Sequence, residues 1–317
     1  MVLVEVMRSY SLKKIFAYTF LFLLIAFSSI AIFKKDNYRY ELSVIAIFQD
    51  EARFLKEWLD FYRVLGVEHF YLFNNLSDDG YAEVLAPYIK AGLVELHNWP
   101  YASEPGHKAD WTAIHSAAYR KGLELANGES KWVALVDTDE FMFPKKQDSL
   151  IDFLKDYEEC SGLLVNWQLF GTSHVERIAD NQLMIESLVM QSPPDCRTNR
   201  NCKSIVRPEK VKYCNCSNCV IHYPWTYSVD CNKRVFFWNF YPFRPVNIEK
   251  IQINHYWSRD EEFFHTNKLA RHENWGNQKS ACVQLNEEAN QVINLEILQF
   301  APRVRQLQEQ DPILSSS

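Results

Sequence analysis

Trp132-Val-Ala-Leu-Val-Asp-Thr-Asp-Glu-Phe141 is the stretch on which the fold turns. Five apolar residues run directly into acidic ones, with no polar alternation between them. A strand with one wet face alternates, whereas an unbroken apolar run bounded by polar residues suits a strand covered on both faces, as in a parallel sheet. Asp137 and Asp139 stand two residues apart, so in extended chain both carboxylates leave on the same side.

Upstream the same grammar repeats. Ser43-Val-Ile-Ala-Ile-Phe48 is a continuous apolar run closed by Gln49-Asp-Glu51. Phe54, Leu55, Trp58, Phe61, Tyr62 and Leu65 recur at helical spacing and stop at Gly66, a natural C-cap. His69-Phe-Tyr-Leu-Phe73 reads as a second strand, and a helix from Ala82 stops near Gly92. Leu93-Val-Glu-Leu-His97 is a third strand, followed by a loop and a helix over 108–125 that leads into the acidic stretch. Strand and helix alternate four times, which predicts a Rossmann-like, doubly wound, mostly parallel α/β sheet with right-handed crossovers. Beyond residue 160 the pattern is less regular; 163–167 and 251–254 read as strands. There is no internal repeat.

The 317 residues are 47% apolar and 23% charged, which excludes disordered, collagen-like and coiled-coil classes. The net charge of −6 argues against a nucleic-acid binder, because such affinity comes from neutralising phosphates. Residues 1–40 hold six Lys/Arg against Glu5 and Asp36, so the acidity belongs to the remainder. Within that leader, residues 15–33 carry no charge and depart from apolar only at Thr19, Ser28 and Ser29. Nineteen residues at ~1.5 Å each span about 28 Å, the thickness of a bilayer's hydrocarbon. The predicted organisation is an N-terminal tail (1–14), a transmembrane anchor (15–33), a stalk (34–41), a soluble domain (42–300) and a C-terminal tail (301–317). A cleaved signal peptide is the alternative for the leader. Arg8, Lys13 and Lys14 balance Lys34, Lys35 and Arg39, so topology is open between a Golgi-type and a bacterial membrane.

In an open α/β sheet, ligands bind beyond the carboxyl ends of the strands. Asp137 and Asp139 fall there, and paired hard oxygen donors suit Mn²⁺ or Mg²⁺ held against substrate phosphates. The plain alternative is that they cap a helix or are merely solvated. Asp137-Thr-Asp-Glu-Phe141 followed by Pro144 resembles the acidic box of glycosyltransferase family 92, a group related to the larger family 2. Further stretches match in order: Ala46-Ile-Phe-Gln-Asp-Glu51 with Glu57-Trp58, Tyr71-Leu-Phe-Asn-Asn-Leu-Ser-Asp-Asp79, Lys131-Trp132, and Asn166-Trp167 with Phe170-Gly171. Lys203-Ser-Ile-Val-Arg-Pro208, His222-Tyr-Pro224, and Asn254-His-Tyr256 with Ser258, Glu262 and Lys268 complete the set, over roughly 42–272.

That resemblance implies a GT-A fold and transfer of a hexose, galactose for instance, from a nucleotide sugar such as a UDP-hexose to an acceptor glycan. It implies that Asp50, Glu51 and Asp79 face the nucleoside, that Asp137 lies near ribose and metal, and that Asp139 is the direct metal ligand. His255 is the further metal ligand it implies, an imidazole suiting Mn²⁺ better than Mg²⁺. Lys203, Arg207 and Lys268 would neutralise the leaving diphosphate. Inversion at the anomeric carbon would also need a base, for which Glu176, Asp260 and Glu261 are candidates, Glu261 being carried forward. A carboxylate at an open sheet edge is expected to be hydrated, so Asp139 should matter to rate and little to folding.

Six cysteines (Cys196, Cys202, Cys214, Cys216, Cys219 and Cys231) fall within 36 residues. Cys216-x-x-Cys219 with His222 looks like a zinc ligand set; the same cluster in an oxidising compartment would form disulfides, and in the cytosol would stay as thiols. Asn75 and Asn215 fit the glycosylation triplet, Asn75 also suiting turn chemistry. The aromatic run 223–241 serves either sugar stacking or core packing. Two rival functions stand beside a metal-dependent glycosyltransferase. A haloacid-dehalogenase-type phosphotransferase would place its D-x-D after the first strand and not the fourth. A non-catalytic carbohydrate-binding membrane protein would have no need of the carboxylate pair.

Overall fold

The computed structural model describes residues 37–311 and Ile313, apart from 105, 217–218, 223–226 and 237–244. Strands β1 (Tyr40–Phe48), β2 (His69–Asn74), β3 (Val94–Asn98) and β4 (Ser130–Leu135) lie in the order β4-β1-β2-β3. All three ladders between them are parallel. Helices α1 (Ala52–Val64), α2 (Tyr81–Lys90) and α3 (Lys108–Ala126) make the crossovers. Alternation along β1 sorts its side chains between two cores. Val44, Ala46 and Phe48 pack with Leu55, Trp58, Leu59 and Tyr62 of α1. Ile45 and Ile47 pack on the other face with Ala118, Tyr119 and Leu123 of α3. Gly122 lets α3 come close: a Cβ there would sit 2.6 Å from Ile45 Cγ2.

The second half of the sheet is mixed, which corrects the expectation of a mostly parallel one. Strand Cys202–Val206 inserts antiparallel between β4 and β6 (Gly162–Leu169). Ser228–Val229 adds parallel to β6, and Val235–Phe236 closes that edge antiparallel. β5 (Glu140–Pro144) turns away after the acidic stretch and pairs antiparallel with Ile251–His255, which also runs parallel to β6. These strands come from distant parts of the chain with no regular strand–helix–strand unit between them, and the βαβ crossover that builds the parallel half is absent from their connections.

Residues 301–310, expected as a tail, are a helix. Ala301 and Val304 are buried, Arg303 donates to the Val64 carbonyl at the end of α1, and Arg63 pairs with Asp311. A polar-looking segment needs only one apolar stripe to dock. No helix among the described residues is long and apolar enough to cross a membrane; residues 15–33 and the tail before them lie outside those described. Cys160, Cys196 and Cys231 carry buried free thiols, so no disulfide joins Cys196 to Cys231, and burial pushes the thiol pKa of both upward. The side chains of Cys216, Cys219 and His222, Asn215, and most of the aromatic run 223–241 lie outside the described set. Asn75 is buried and donates to the carbonyls of Trp99 and Tyr101, which makes it a loop staple.

Candidate active site

β4 delivers Asp137, Thr138 and Asp139 into a cleft at the carboxyl end of the parallel strands. Ile47, Phe48, Gln49 and Glu51 from the end of β1 line it on one side, and Trp111 and His115 of α3 on another. His255, Trp257, Lys268, Arg271, His272 and Trp275 close it. The β5 ladder sets His255 opposite Glu140, and Tyr256 N–H donates to the Asp139 carbonyl at 2.9 Å. Main-chain pairing thus brings a residue 116 positions downstream beside Asp139.

Both aspartates are partnered; Asp139 is buried, while the Asp137 side chain is 30% exposed. Asp137 Oδ1 accepts from Tyr119 Oη at 2.9 Å and lies 3.0 Å from His115 Nε2, while Oδ2 accepts from Lys203 Nζ at 2.7 Å. Burial alone would raise its pKa; Lys203 and His115 outweigh that and hold it below the usual carboxylate range. Asp139 Oδ2 accepts from Lys268 Nζ at 2.9 Å, and Oδ1 is 3.4 Å from His255 Nε2. Burial again opposes, and Lys268 followed by His255 keeps it ionised. The expectation of a hydrated carboxylate is therefore corrected: the Asp139 side chain is 11% exposed. Glu140 behaves oppositely. Burial, with Asp137 and Asp139 beside it, pushes its pKa well up against the pull of Lys203.

Two atoms in this cluster lack hydrogen-bond partners, although Lys203 Nζ lies 3.5 Å from one of them, Glu140 Oε1. His255 Nδ1 and Glu140 Oε1 are buried with no hydrogen bond. Such orphans are rare because each carries a desolvation penalty of ~1–3 kcal/mol. Asp139, Glu140 and His255 place one donor atom each within 4.8 Å of one another. Burial lowers the His255 pKa, so the imidazole is neutral, as a ligand must be. The Asp139 carboxylate and the His255 imidazole fit Mn²⁺, and Glu140 would join them on losing its proton to the ion.

The other expected residues divide. Glu51 lines the cleft, and its Oε2 accepts from Arg259 Nη2 at 2.7 Å; Arg259 is wholly buried and also donates to the Thr138 carbonyl. Asp50 and Asp79 do not line the cleft. Asp50 accepts from Asp78 N–H, and Asp79 from Ala52 N–H, stitching the loop after β1 to the loop after β2. Lys203 is in the site and Arg207 is not. Four residues along a strand are about 13 Å, and Arg207 faces the other end of β4, over Trp132 and bonded to Glu158. Glu261 is also away from the cleft, accepting from Thr172 Oγ1 at 2.5 Å. Asp260 caps the helix beginning Glu261 and pairs with Arg53, and Glu176 is exposed.

Sequence reasoning missed His115, Tyr119, Arg259 and Arg271. A signal existed for two of them: Trp111, His115 and Tyr119 are spaced by four, which puts them on one face of α3. Trp111 stacks between His115 and Trp275, with centroids 5.8 and 5.5 Å away. Gly106 N–H donates to the Asn274 carbonyl at 2.7 Å, so the loop before α3 and the helix Leu269–Asn274 meet at the rim.

A family model described as "Glycosyltransferase family 92" matches residues 40–300. Curated proteins of that name are similar to the chain. One from Arabidopsis thaliana is 26% identical over 188 residues, covering 56% of this chain and 30% of its own length. One from Ricinus communis is 24% identical over 252 residues, 76% of this chain and 40% of its own. The chain thus spans well under half the length of these relatives. Among solved structures, S. aureus TarS in complex with UDP aligns at TM-score 0.33 and 14% identity, over 53% of this chain and 47% of that one. Glucosyl-3-phosphoglycerate synthase from Mycobacterium tuberculosis, in complex with Mn²⁺, UDP and glucosyl-3-phosphoglycerate, aligns at TM-score 0.28 and 13% identity, over 54% and 58%.

Proposed function

The chain belongs to glycosyltransferase family 92, and from that premise we propose that it is a membrane-anchored glycosyltransferase of GT-A type, moving a hexose from a nucleotide sugar to an acceptor glycan. The observation that carries this reading is the pairing of two carboxylates, Asp139 buried and Asp137 partly exposed, with two buried lysines at the mouth of β4. Carboxylates alone would suit a cation and lysines alone an anion. Interleaved, they suit a divalent ion together with a diphosphate.

Asp139 and His255, with Asp137 and Glu140 beside them, would hold Mn²⁺ or Mg²⁺. Bound there, the ion would supply electrophilic stabilisation of the leaving diphosphate. The chain's own residues do the rest. Lys203 and Lys268 present ammonium groups to the same developing charge, preorganised by burial. Tyr119 and His115 fix the Asp137 carboxylate; burial and Asp137 keep the Tyr119 phenol protonated, so it remains a donor. Arg259 holds Glu51 and Thr138 in place at the nucleoside side. Galactose as the sugar, inversion, and the anchor at 15–33 rest on the resemblance and the leader sequence, and we assign no base.

The test is a donor panel on the full-length chain: UDP-galactose, UDP-glucose, UDP-N-acetylglucosamine and galactose 1-phosphate, each with and without Mn²⁺. We expect UDP release from at least one UDP-hexose, dependent on the divalent ion, and none of the sugar phosphate turned over. Cleavage of the sugar phosphate alone would sink the reading in favour of a phosphotransferase.

A further inference from the structure

Lys268 pairs with Asp139, the carboxylate that a divalent ion would need. Its Nζ lies 2.9 Å from Asp139 Oδ2, the two side chains being 9% and 11% exposed. It is the last residue of a π-helical turn, Phe264–Lys268. Such turns are rare, cost hydrogen-bond geometry and gather at functional sites; here the turn ends on the ammonium that enters the cleft. The stem runs by Trp257, whose ring centroid is 5.6 Å from Nζ.

We propose that Lys268 is a tethered cation which occupies Asp139 until a nucleoside diphosphate arrives, then passes to the phosphates as the divalent ion takes the carboxylate. The proposal rests on the donor reading above and adds the order of events. Formal charges in the site already balance: Glu51, Asp137, Asp139 and Glu140 against Lys203, Lys268, Arg259 and Arg271. Counting Glu140 as ionised is the case most favourable to a metal. Even so, a bare divalent ion would add two positive charges to a buried neutral set while displacing an ammonium from its partner, and both are costly. A diphosphate brings the charge that accepts the ion and the displaced ammonium together.

Lys203 does not serve this role. It is held between Asp137 Oδ2 at 2.7 Å and Glu140 Oε1 at 3.5 Å, whereas Lys268 has one carboxylate partner among the described residues. A lysine suits the exchange because its charge is a compact point on a flexible four-carbon stem.

The experiment is Mn²⁺ binding to the full-length chain, read by the electron paramagnetic resonance signal of free Mn²⁺, with and without UDP. In the native protein we expect UDP to tighten Mn²⁺ binding by about tenfold or more, a normal coupling between sites. In Lys268→Met, Mn²⁺ alone should bind about tenfold tighter than to the native protein, and UDP should add little. Equal Mn²⁺ affinity with and without UDP in a native protein shown by equilibrium dialysis to bind UDP, or unchanged affinity for Mn²⁺ alone in Lys268→Met, would overturn the proposal. Lys268→Gln serves if the methionine variant does not fold, and the native comparison needs no variant. The metal-only arm needs no nucleotide, so failure of UDP to bind counts against the donor reading while the lysine is still judged.

Discussion

Asp139 serves two ends at once. It offers the charge a divalent ion requires, and it is the counter-ion of a buried lysine. Asp139→Asn should therefore lower the transfer rate by about 10²–10³-fold, the scale of roughly 3–4 kcal/mol of lost charge stabilisation. It should also cost about 1–3 kcal/mol of stability, because Lys268 stays buried with a neutral partner. Chemical denaturation checks the second effect, and an unchanged midpoint would contradict the burial. Lys203 and Arg207 give a cleaner contrast, lying four residues apart with Arg207 just past the end of the strand Cys202–Val206. Lys203→Met should reduce kcat/KM by about 10²-fold, while Arg207→Met should leave it unchanged, since Arg207 bonds Glu158 at the far end of β4. At this scale the sequence exposed Asp137 and Asp139 through their spacing. The partners were hidden, because hydrogen bonds to His115 and Tyr119 depend on how α3 packs, and no local pattern encodes that.

Helix α1 shows how an element carries a pH response. Glu57 on α1 accepts from the N–H groups of Met184 and Ile185 at 2.6 and 3.0 Å, anchoring a short helix to the back of the site. Burial raises its pKa to about 7. Between about pH 4.5 and 7 the folded chain thus holds a proton that the unfolded chain has lost. Stability contributed by this group is full below that window and falls as pH rises through it, by up to about 3 kcal/mol. Urea titrations across that range should show the slope, and Glu57→Gln should remove it; an unaltered slope would place its origin elsewhere. Helix α3 makes a different point. Gly122→Ala would drive a methyl onto Ile45 at 2.6 Å, and we expect ~1–3 kcal/mol of destabilisation in the same assay. The elements up to β4 were legible because each buries a continuous or periodic apolar run. Of the later strands, Gly162–Leu169 and Ile251–His255 were legible for the same reason, and others were not: Ser228–Val229 and Val235–Phe236 have two residues each, and Cys202–Val206 carries Lys203 into the interior, where no hydrophobicity pattern would look for it.

Over the whole molecule, charge and hydropathy divide the chain into a basic, apolar leader and an acidic domain. We expect the full-length protein to sediment with membranes and to stay there through carbonate extraction; release by carbonate would remove the anchor. Within the domain, the parallel half supplies the cleft floor and the mixed half returns His255 and Lys268 over it. One reaction tests that arrangement most directly: the time course of UDP release from a UDP-hexose substrate by the native chain and by Asp139→Asn, with Mn²⁺ present and after its chelation. We expect release by the native chain only with the ion, and a rate lower by about 10²–10³-fold in the variant at every ion concentration. Equal rates in the two proteins, with the same dependence on Mn²⁺, would contradict the assignment of this cleft as the active site.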